Sequence, residues 1–162
     1  MKDGEDKNQT IIVAPHPDDE IIGCYEILLK EKPIVIYSVF TEPSRREESM
    51  KLKQFVDVNV QLFLQSIPSN FINPSNTIYM PDPIYETHPE HRQWGHIGES
   101  IARSGHTNVI FYNTTMTAPY VHLTKESEKK EKLLNDVYPS QKSLWEYEKK
   151  YVLFEGYCKW IF

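Results

Sequence analysis

The sequence is poor in cysteine and lacks long apolar runs, and each of these shortages excludes a class of protein. Its 162 residues include two cysteines, Cys24 and Cys158, which lack C-x-x-C spacing, so no disulfide framework is expected. We expect Cys24 to pack in a helix as a small apolar residue. No apolar run is as long as a membrane span, and the polar residues 1–6 are not followed by the apolar region of a signal peptide. These absences predict a cytoplasmic protein.

Positive charge is also in short supply. The chain has 18 lysines and arginines against 23 aspartates and glutamates, a net charge of -5. It has no basic stripe for nucleic acid, and its net charge gives no attraction to anionic lipid head groups. The densest charge run, at 125–132, mixes both signs and is predicted to be a solvated helix face. We expect neither a nucleic-acid nor a membrane partner, and the sequence leaves the oligomeric state open.

Apolar segments alternate with helical patterns along the chain. Strands are predicted at 11–14, 34–40, 60–64, 77–80, 108–112 and 151–157. Helices are predicted at 19–30, at 45–56 with Ser44 as the cap, from Pro89 through Ile101, and at 125–137 and 140–149. Because the strands are apolar throughout, we expect a mainly parallel sheet. The predicted fold is α/β, a single Rossmann-like three-layer domain over 10–162, after a flexible tail at 1–9. In such folds the site lies beyond the carboxyl ends of the strands.

The first group of chemically active side chains follows the first predicted strand. His16 ends that strand, and Asp19 lies three residues later at a helix start. An imidazole and a carboxylate at such a turn can face one point, and both are ligand types that zinc accepts. Asp18 would then lie beside the metal as a free base. The alternative is that an aspartate caps the helix and His16 is an ordinary loop residue.

A second group precedes the helix that begins near Pro89. His88 and His91 flank Glu90, three residues apart, and supply a further ligand and a second ionisable group. The alternative is a solvated polar loop. Together the two groups provide two histidines and one carboxylate as ligands, with a spare acid and a spare histidine. A catalytic zinc site needs this set, with three protein ligands and an open position.

These motifs resemble the signature of the PIG-L/LmbE-like deacetylases, which deacetylate amino sugars. The resemblance rests on His16-Pro17-Asp18-Asp19-Glu20 and His88-Pro89-Glu90-His91-Arg92. The weaker similarities lie between and after these motifs: Thr41, Arg45-Arg46-Glu47-Glu48, Val121-His122-Leu123, Lys132 and Tyr138-Pro139-Ser140-Gln141. The likeness therefore covers nearly the whole chain.

The resemblance implies a role for each matching residue. It implies that His16, Asp19 and His91 bind Zn²⁺, with Fe²⁺ as an alternative, since both ions accept this ligand set. It implies that Asp18 is the general base and that His88 stabilises the oxyanion or donates a proton.

The resemblance also assigns supporting residues. It implies that Glu90 orients His88, and that Arg45 or Arg46 contacts hydroxyl or phosphate groups of a small amino-sugar substrate. The implied reaction is hydrolysis of the acetamide of an N-acetylglucosamine-type sugar to acetate and the free amine.

This sequence departs from the family in ways that concern the substrate. Glu42-Pro43-Ser44 stands where relatives have glycines, and Glu86 stands where some relatives have tyrosine. Two alternatives therefore stay open: an amidase acting on a non-sugar N-acyl substrate, and a non-catalytic relative that binds sugar or metal. A nucleotide-binding module is excluded by the absence of G-x-G-x-x-G after the first strand.

The remaining histidines have no partners at ligand spacing. We expect His96, His106 and His122 to have surface or hydrogen-bonded roles rather than to bind a metal.

Overall fold

The computed structural model describes residues 8–160. Most of the predicted tail at 1–9 therefore lies outside the described residues. Gln9, its last residue, is bound to the start of a strand: its N–H donates to Asn76 Oδ1 at 3.0 Å, and its carbonyl accepts from the N–H of Thr77 at 3.0 Å. Within residues 8–160, none of the helices has both the length and the apolar character needed to span a membrane.

A six-stranded sheet forms the centre of the protein. In chain order, the strands of this sheet and of a smaller second sheet are β1 (Thr10–Ala14), β2 (Ile34–Ser38), β3 (Val60–Leu64), β4 (Thr77–Pro81), β5 (Asn108–Tyr112), β6 (His122–Leu123), β7 (Phe154–Glu155) and β8 (Tyr157–Cys158). The order across the sheet is β3-β2-β1-β4-β5-β8. The first five are parallel, as predicted, and β8 runs antiparallel to β5 at the edge. Strands β6 and β7 form a separate antiparallel pair.

Helices cover both faces of the sheet. They are α1 (Asp19–Lys30), α2 (Pro43–Ser49), α3 (Pro89–Ser104), α4 (Ser127–Val137), α5 (Lys142–Tyr147) and α6 (Lys150–Leu153). On one face Ile12 packs with Leu28 and Leu134, and on the other Ile11 packs with Trp94. Both faces of β1 are thus buried, which is why the strand is apolar throughout. The predicted mixed α/β fold with a mainly parallel sheet is confirmed.

The strand order places the two motifs side by side. The chain proceeds from β1 to β2 and β3 on one side and then returns to β4 on the other side of β1. Parallel sheets bind ligands at such a reversal, beyond the carboxyl ends of the two central strands. The first motif follows β1, and the second motif follows β4 after one loop. His16 and His91, 75 residues apart in the chain, therefore lie in contact.

The close packing of α1 against β5 depends on a glycine. A Cβ added to Gly23, in α1, would lie 2.3 Å from the ring of Tyr112. The Tyr112 hydroxyl in turn donates to the carbonyl of Val13, in β1, at 2.5 Å. The missing side chain therefore lets α1 lie against β5 while the end of β1 is held by a buried hydrogen bond.

The predicted strand at 151–157 is wrong. Lys150–Leu153 is a helix, and the following residues divide between two sheets, with Gly156 separating β7 from β8. A Cβ at Gly156 would lie 2.8 Å from the carbonyl oxygen of Tyr120. The backbone can pass that close only because the residue is glycine, and there the chain leaves the β6–β7 pair for the main sheet.

Two of the predicted helices are also partly 3₁₀ and have different bounds from the prediction. The helix expected at 45–56 begins at Pro43, with Glu42 rather than Ser44 at the cap position, and becomes a 3₁₀ helix at Met50–Gln54. Proline is well suited to the first helical position, which explains the earlier start. The helix expected at 140–149 is a 3₁₀ turn, Pro139–Gln141, followed by α5.

Candidate metal centre

Three predicted ligands converge beyond the ends of β1 and β4. His16 Nδ1 lies 3.1 Å from His91 Nε2, and Asp19 Oδ2 lies 3.0 Å from His91 Nε2 and 3.4 Å from His16 Nδ1. Asp19 and His91 are buried. Asp19 Oδ2 also accepts from the N–H of His16 at 2.8 Å, which fixes the turn between β1 and α1.

The spacing of these atoms fits a metal ion. Ligand atoms about 2 Å from a tetrahedral ion lie about 3.3 Å from one another. The three observed separations, 3.0 to 3.4 Å, are close to that value. Two imidazole nitrogens and a carboxylate oxygen are also a donor set that zinc accepts. His16, Asp19 and His91 can therefore hold a divalent ion without rearrangement of the fold.

Protonation of His91 would compete with a metal. Burial disfavours the charged ring, but the carboxylate of Asp19, supported by Glu86, outweighs burial and raises the pKa of His91 to about 10. Metals bind the neutral imidazole, so an ion that enters must displace this proton.

Each histidine ligand is oriented by a carboxylate on its other nitrogen. His91 Nδ1 lies 3.2 Å from Thr114 Oγ1 and 3.4 Å from Glu86 Oε2. Glu86 is buried and accepts from the N–H and the hydroxyl of Thr114. His16 Nε2 lies 2.6 Å from Glu90 Oε2. Such contacts fix the ring orientation and the tautomer of a metal-binding histidine.

This arrangement corrects the role expected for Glu90. Its carboxylate contacts His16 rather than His88, and only its backbone N–H meets His88, donating to Nδ1 at 3.2 Å.

Asp18 lies beside the ligands in a strained conformation. Its φ of 116° is in the left-handed region, a backbone conformation that is costly for residues other than glycine. Among those other residues, aspartate and asparagine tolerate it best. Burial and the charge of Asp19 raise the pKa of Asp18, while the guanidinium of Arg45 lowers it. Arg45 Nη2 lies 3.1 Å from Asp18 Oδ2. The geometry leaves Asp18 as a carboxylate paired with a cation and free of the three-ligand group.

Glu20 stabilises this strained turn through a hydrogen bond from the Asp18 backbone. It is fully buried, and its Oε2 accepts from the N–H of Asp18 at 2.9 Å. Its Oε1 accepts from the hydroxyls of Tyr37 and Tyr138. Burial raises the pKa of Glu20 to about 7. The contact with Tyr138 also connects the turn to the Pro139–Gln141 segment that lies over the site.

His88 is an exposed residue that caps α3 and faces the two histidine ligands. Its ring centroid is 4.9 Å from that of His16 and 5.2 Å from that of His91. Partial loss of hydration around the ring, with the neighbouring His16 and His91, lowers the pKa of His88. Because Nδ1 accepts from the Glu90 N–H, the neutral ring carries its proton on Nε2 and can donate it to a bound group.

Two open cavities flank the metal centre. One, of about 330 Å³, contains Phe40 and Glu42 on its walls, and the other, of about 280 Å³, is lined by Asp18, His88 and His91 among others. Residues His16, Arg45 and Gln141 line both cavities. A ligand that lies across Arg45 could therefore occupy both cavities.

Of the two arginines expected near the substrate, Arg46 binds the loop after β2 and lines neither cavity. Its Nε donates to the carbonyl of Thr41 at 3.0 Å, its Nη2 donates to the carbonyl of Val39, and its guanidinium stacks over Phe63 at 4.6 Å. Arg46 thus stabilises the loop after β2, whereas Arg45 lines the cavities. Lys132, one of the weaker similarities, lies on the surface and pairs with Asp136.

Sequence reasoning missed the supporting role of Glu86 and Thr114. Thr114 lies two residues beyond the end of β5, the neighbour of β4, so the rule that sites lie beyond parallel strand ends could have indicated it. Glu86 was noticed only as a departure from the family pattern. Its contact with His91 depends on the loop conformation after β4, for which the sequence carries no signal.

Comparisons with protein-family models, with curated proteins and with solved structures found no match for this chain.

Proposed function

We propose that this protein is a zinc-dependent hydrolase of the PIG-L/LmbE-like type, with a Rossmann-like fold, that removes the acetyl group from an N-acetylated amino sugar. The observation that carries the proposal is the convergence of His16, Asp19 and His91. Asp18 lies beside these three residues, paired with Arg45 and outside the ligand group. A binding protein would need the ligands but has no use for a strained, buried carboxylate next to them.

The residues around the metal centre have distinct roles in this reaction. His16, Asp19 and His91 would hold a zinc ion, and that ion would supply Lewis-acid chemistry that polarises the amide carbonyl and makes a water molecule more acidic. Asp18 accepts the proton of the water that attacks the carbonyl carbon. Its raised pKa, moderated by Arg45, brings its basicity closer to neutral pH, where a general base is most effective.

His88, which lines the same cavity as Asp18, stabilises the negative charge that develops on the amide oxygen. With its proton on Nε2, it donates a hydrogen bond to the oxygen that gains negative charge as water attacks. The tetrahedral intermediate collapses when the C–N bond breaks and the amine nitrogen receives a proton from Asp18, which took one from water, or from His88. The products are acetate and the free amino sugar.

The substrate we propose is a small, water-soluble N-acetylglucosamine conjugate. The two cavities are open to solvent and together are large enough for a sugar ring and part of an aglycone. Arg45 lines both cavities and can pair with a phosphate or carboxylate on the aglycone.

The test is acetate release from a panel of N-acetylglucosamine conjugates and simple N-acyl amines, by the zinc-loaded protein and after chelation. We expect release from the sugar conjugates, abolished by the chelator and restored by zinc. Release only from the N-acyl amines would replace the proposal with an amidase of broader type. Binding of the sugars without any acetate release would replace it with a binding protein.

A further inference from the structure

A second group of potential metal ligands lies where the C-terminal half of α1 meets the β6–β7 pair. Glu26, in α1, contacts His122 and Glu155, which are register partners in the β6–β7 pair. His122 Nε2 lies 3.7 Å from Glu26 Oε2, and ligand atoms of all three residues lie within 4.8 Å of one another. Glu26 follows Asp19 by seven residues, about 10 Å along the helix axis, so this group is separate from the first metal centre.

A kink in α1 creates the pocket for Glu155. Cys24 has non-helical dihedral angles, φ -131° and ψ 30°. In a regular helix the N–H of Glu26 would bond the carbonyl of Ile22. Here the N–H of Glu26 donates to Glu155 Oε1 at 3.1 Å, and the Ile22 carbonyl accepts from Lys130 Nζ at 2.7 Å. Both groups freed by the kink are thus taken by buried charged side chains.

These contacts leave two carboxylate oxygens without hydrogen bonds. Glu155 is fully buried; its Oε1 also accepts from the Tyr157 hydroxyl at 2.7 Å, but its Oε2 has no hydrogen-bond partner within residues 8–160. Glu26 Oε1 is likewise buried and unbonded in the described chain. Such atoms are rare in folded proteins and call for a specific explanation, such as an ion.

Lys130, the buried cation nearby in the part of the chain that the structure describes, does not satisfy these oxygens. Lys130 Nζ lies 3.9 Å from Glu155 Oε2, beyond hydrogen-bond distance, and donates instead to the carbonyls of Ile22 and Phe154. Two carboxylates therefore face this ammonium, which leaves an excess of negative charge. A divalent cation would compensate that charge and contact both unbonded oxygens.

We infer that Glu26, His122 and Glu155 form a second site for a divalent transition-metal ion. The donor set of one imidazole and two carboxylates suits Zn²⁺. The His122 side chain is 49% exposed, so an ion can enter from solvent and keep water ligands. The bound ion would join the β6–β7 pair to α1. It also gives His122 a role beyond the surface one expected from sequence.

The experiment counts zinc per chain in the full-length protein. Metal-stripped samples are dialysed against micromolar Zn²⁺, and bound zinc is measured by inductively coupled plasma mass spectrometry. We expect two ions in the wild type, one in His122→Ala, one in His91→Ala and none in the double variant. His106→Ala, which removes an exposed histidine outside both groups, should keep two.

A further variant tests the second site independently of the first centre. In the His91→Ala background, Glu26→Gln should also lose the remaining ion, and circular dichroism should show that each variant is folded. The inference is overturned if His91→Ala binds no zinc, or if His122→Ala binds as much as the wild type. Neither result depends on whether the protein deacetylates sugars.

Discussion

The two groups of proposed metal ligands each include one residue of α1, Asp19 or Glu26, but their surroundings are opposite. At the first, His91 is buried, and both histidines have a carboxylate on the second ring nitrogen. At the second, His122 is half exposed, and the buried residue is the carboxylate of Glu155. Orienting contacts and a free base are what a catalytic site needs, whereas a site without them suits a structural ion. The comparison teaches that the supporting residues, more than the ligands, separate the two roles.

The largest expected effect separates the two groups by activity. His91→Ala should reduce acetate release by about 10³-fold or more, because a Lewis acid contributes several kcal/mol and each 1.4 kcal/mol is tenfold. His106→Ala is the matched control and should keep wild-type release. Zinc content, measured on the same samples, should fall by one ion per chain in His91→Ala only. Unchanged release in His91→Ala would remove catalysis from the first centre.

The orienting carboxylate at His91 gives the next largest effect. Glu86→Gln keeps the size of the side chain but removes its charge, so zinc affinity at the first centre should fall by about 10- to 100-fold. A competition titration with a chromophoric chelator measures this change. Glu99→Gln, on the surface of α3, serves as the control and should change the affinity little. Equal affinities for Glu86→Gln and the wild type would show that the contact with His91 has no influence on the metal.

A smaller effect concerns the charge of the substrate. We expect a conjugate with a phosphate or carboxylate on the aglycone to be preferred over free N-acetylglucosamine by up to about fivefold, because partly exposed ion pairs contribute at most about 1 kcal/mol. Arg45→Ala should abolish the preference, and Arg46→Ala should not, since Arg46 is engaged by the loop after β2. A strong preference for a glycolipid in liposomes would contradict the proposal of a soluble substrate.

The subtlest effect is on the pH dependence. The Arg45 guanidinium lowers the pKa of Asp18, and the base must be ionised to act. Without Arg45 that pKa rises, so the acid limb of the kcat/KM profile should move to higher pH in Arg45→Ala. Arg45→Lys keeps the positive charge, so the acid limb of its profile should lie close to that of the wild type. A shift to lower pH would show that Arg45 does not act on Asp18 through its charge.

Much of this architecture could be predicted from the sequence, because its signals are local. Apolar runs predicted the five parallel strands, and His16, Asp18 and Asp19 lie within four residues at a strand end. Strand order alone then brought His91 to them. The last strand was mispredicted because its apolar run is shared between a helix and two sheets, and only Gly156 marks the division.

The orienting contacts and the second group could not be predicted. Glu90 was expected to act on His88, but the start of α3 directs its carboxylate to His16. Glu26, His122 and Glu155 are far apart in the chain, and of the three only His122 lies in a segment with a weak resemblance to the family. They meet because a kink at Cys24 opens α1 and because β6 and β7 pair in one register.

The most direct test of the proposed catalysis is the rate of acetate release per zinc bound at the first centre in Asp18→Asn. Asparagine tolerates the left-handed backbone at this position and removes only the base. Asp57→Asn, on an exposed aspartate, is the control. We predict unchanged zinc content and a rate about 10²- to 10⁴-fold below that of the wild type. A rate near that of the wild type, with zinc in place, would contradict the assignment of Asp18 as the base.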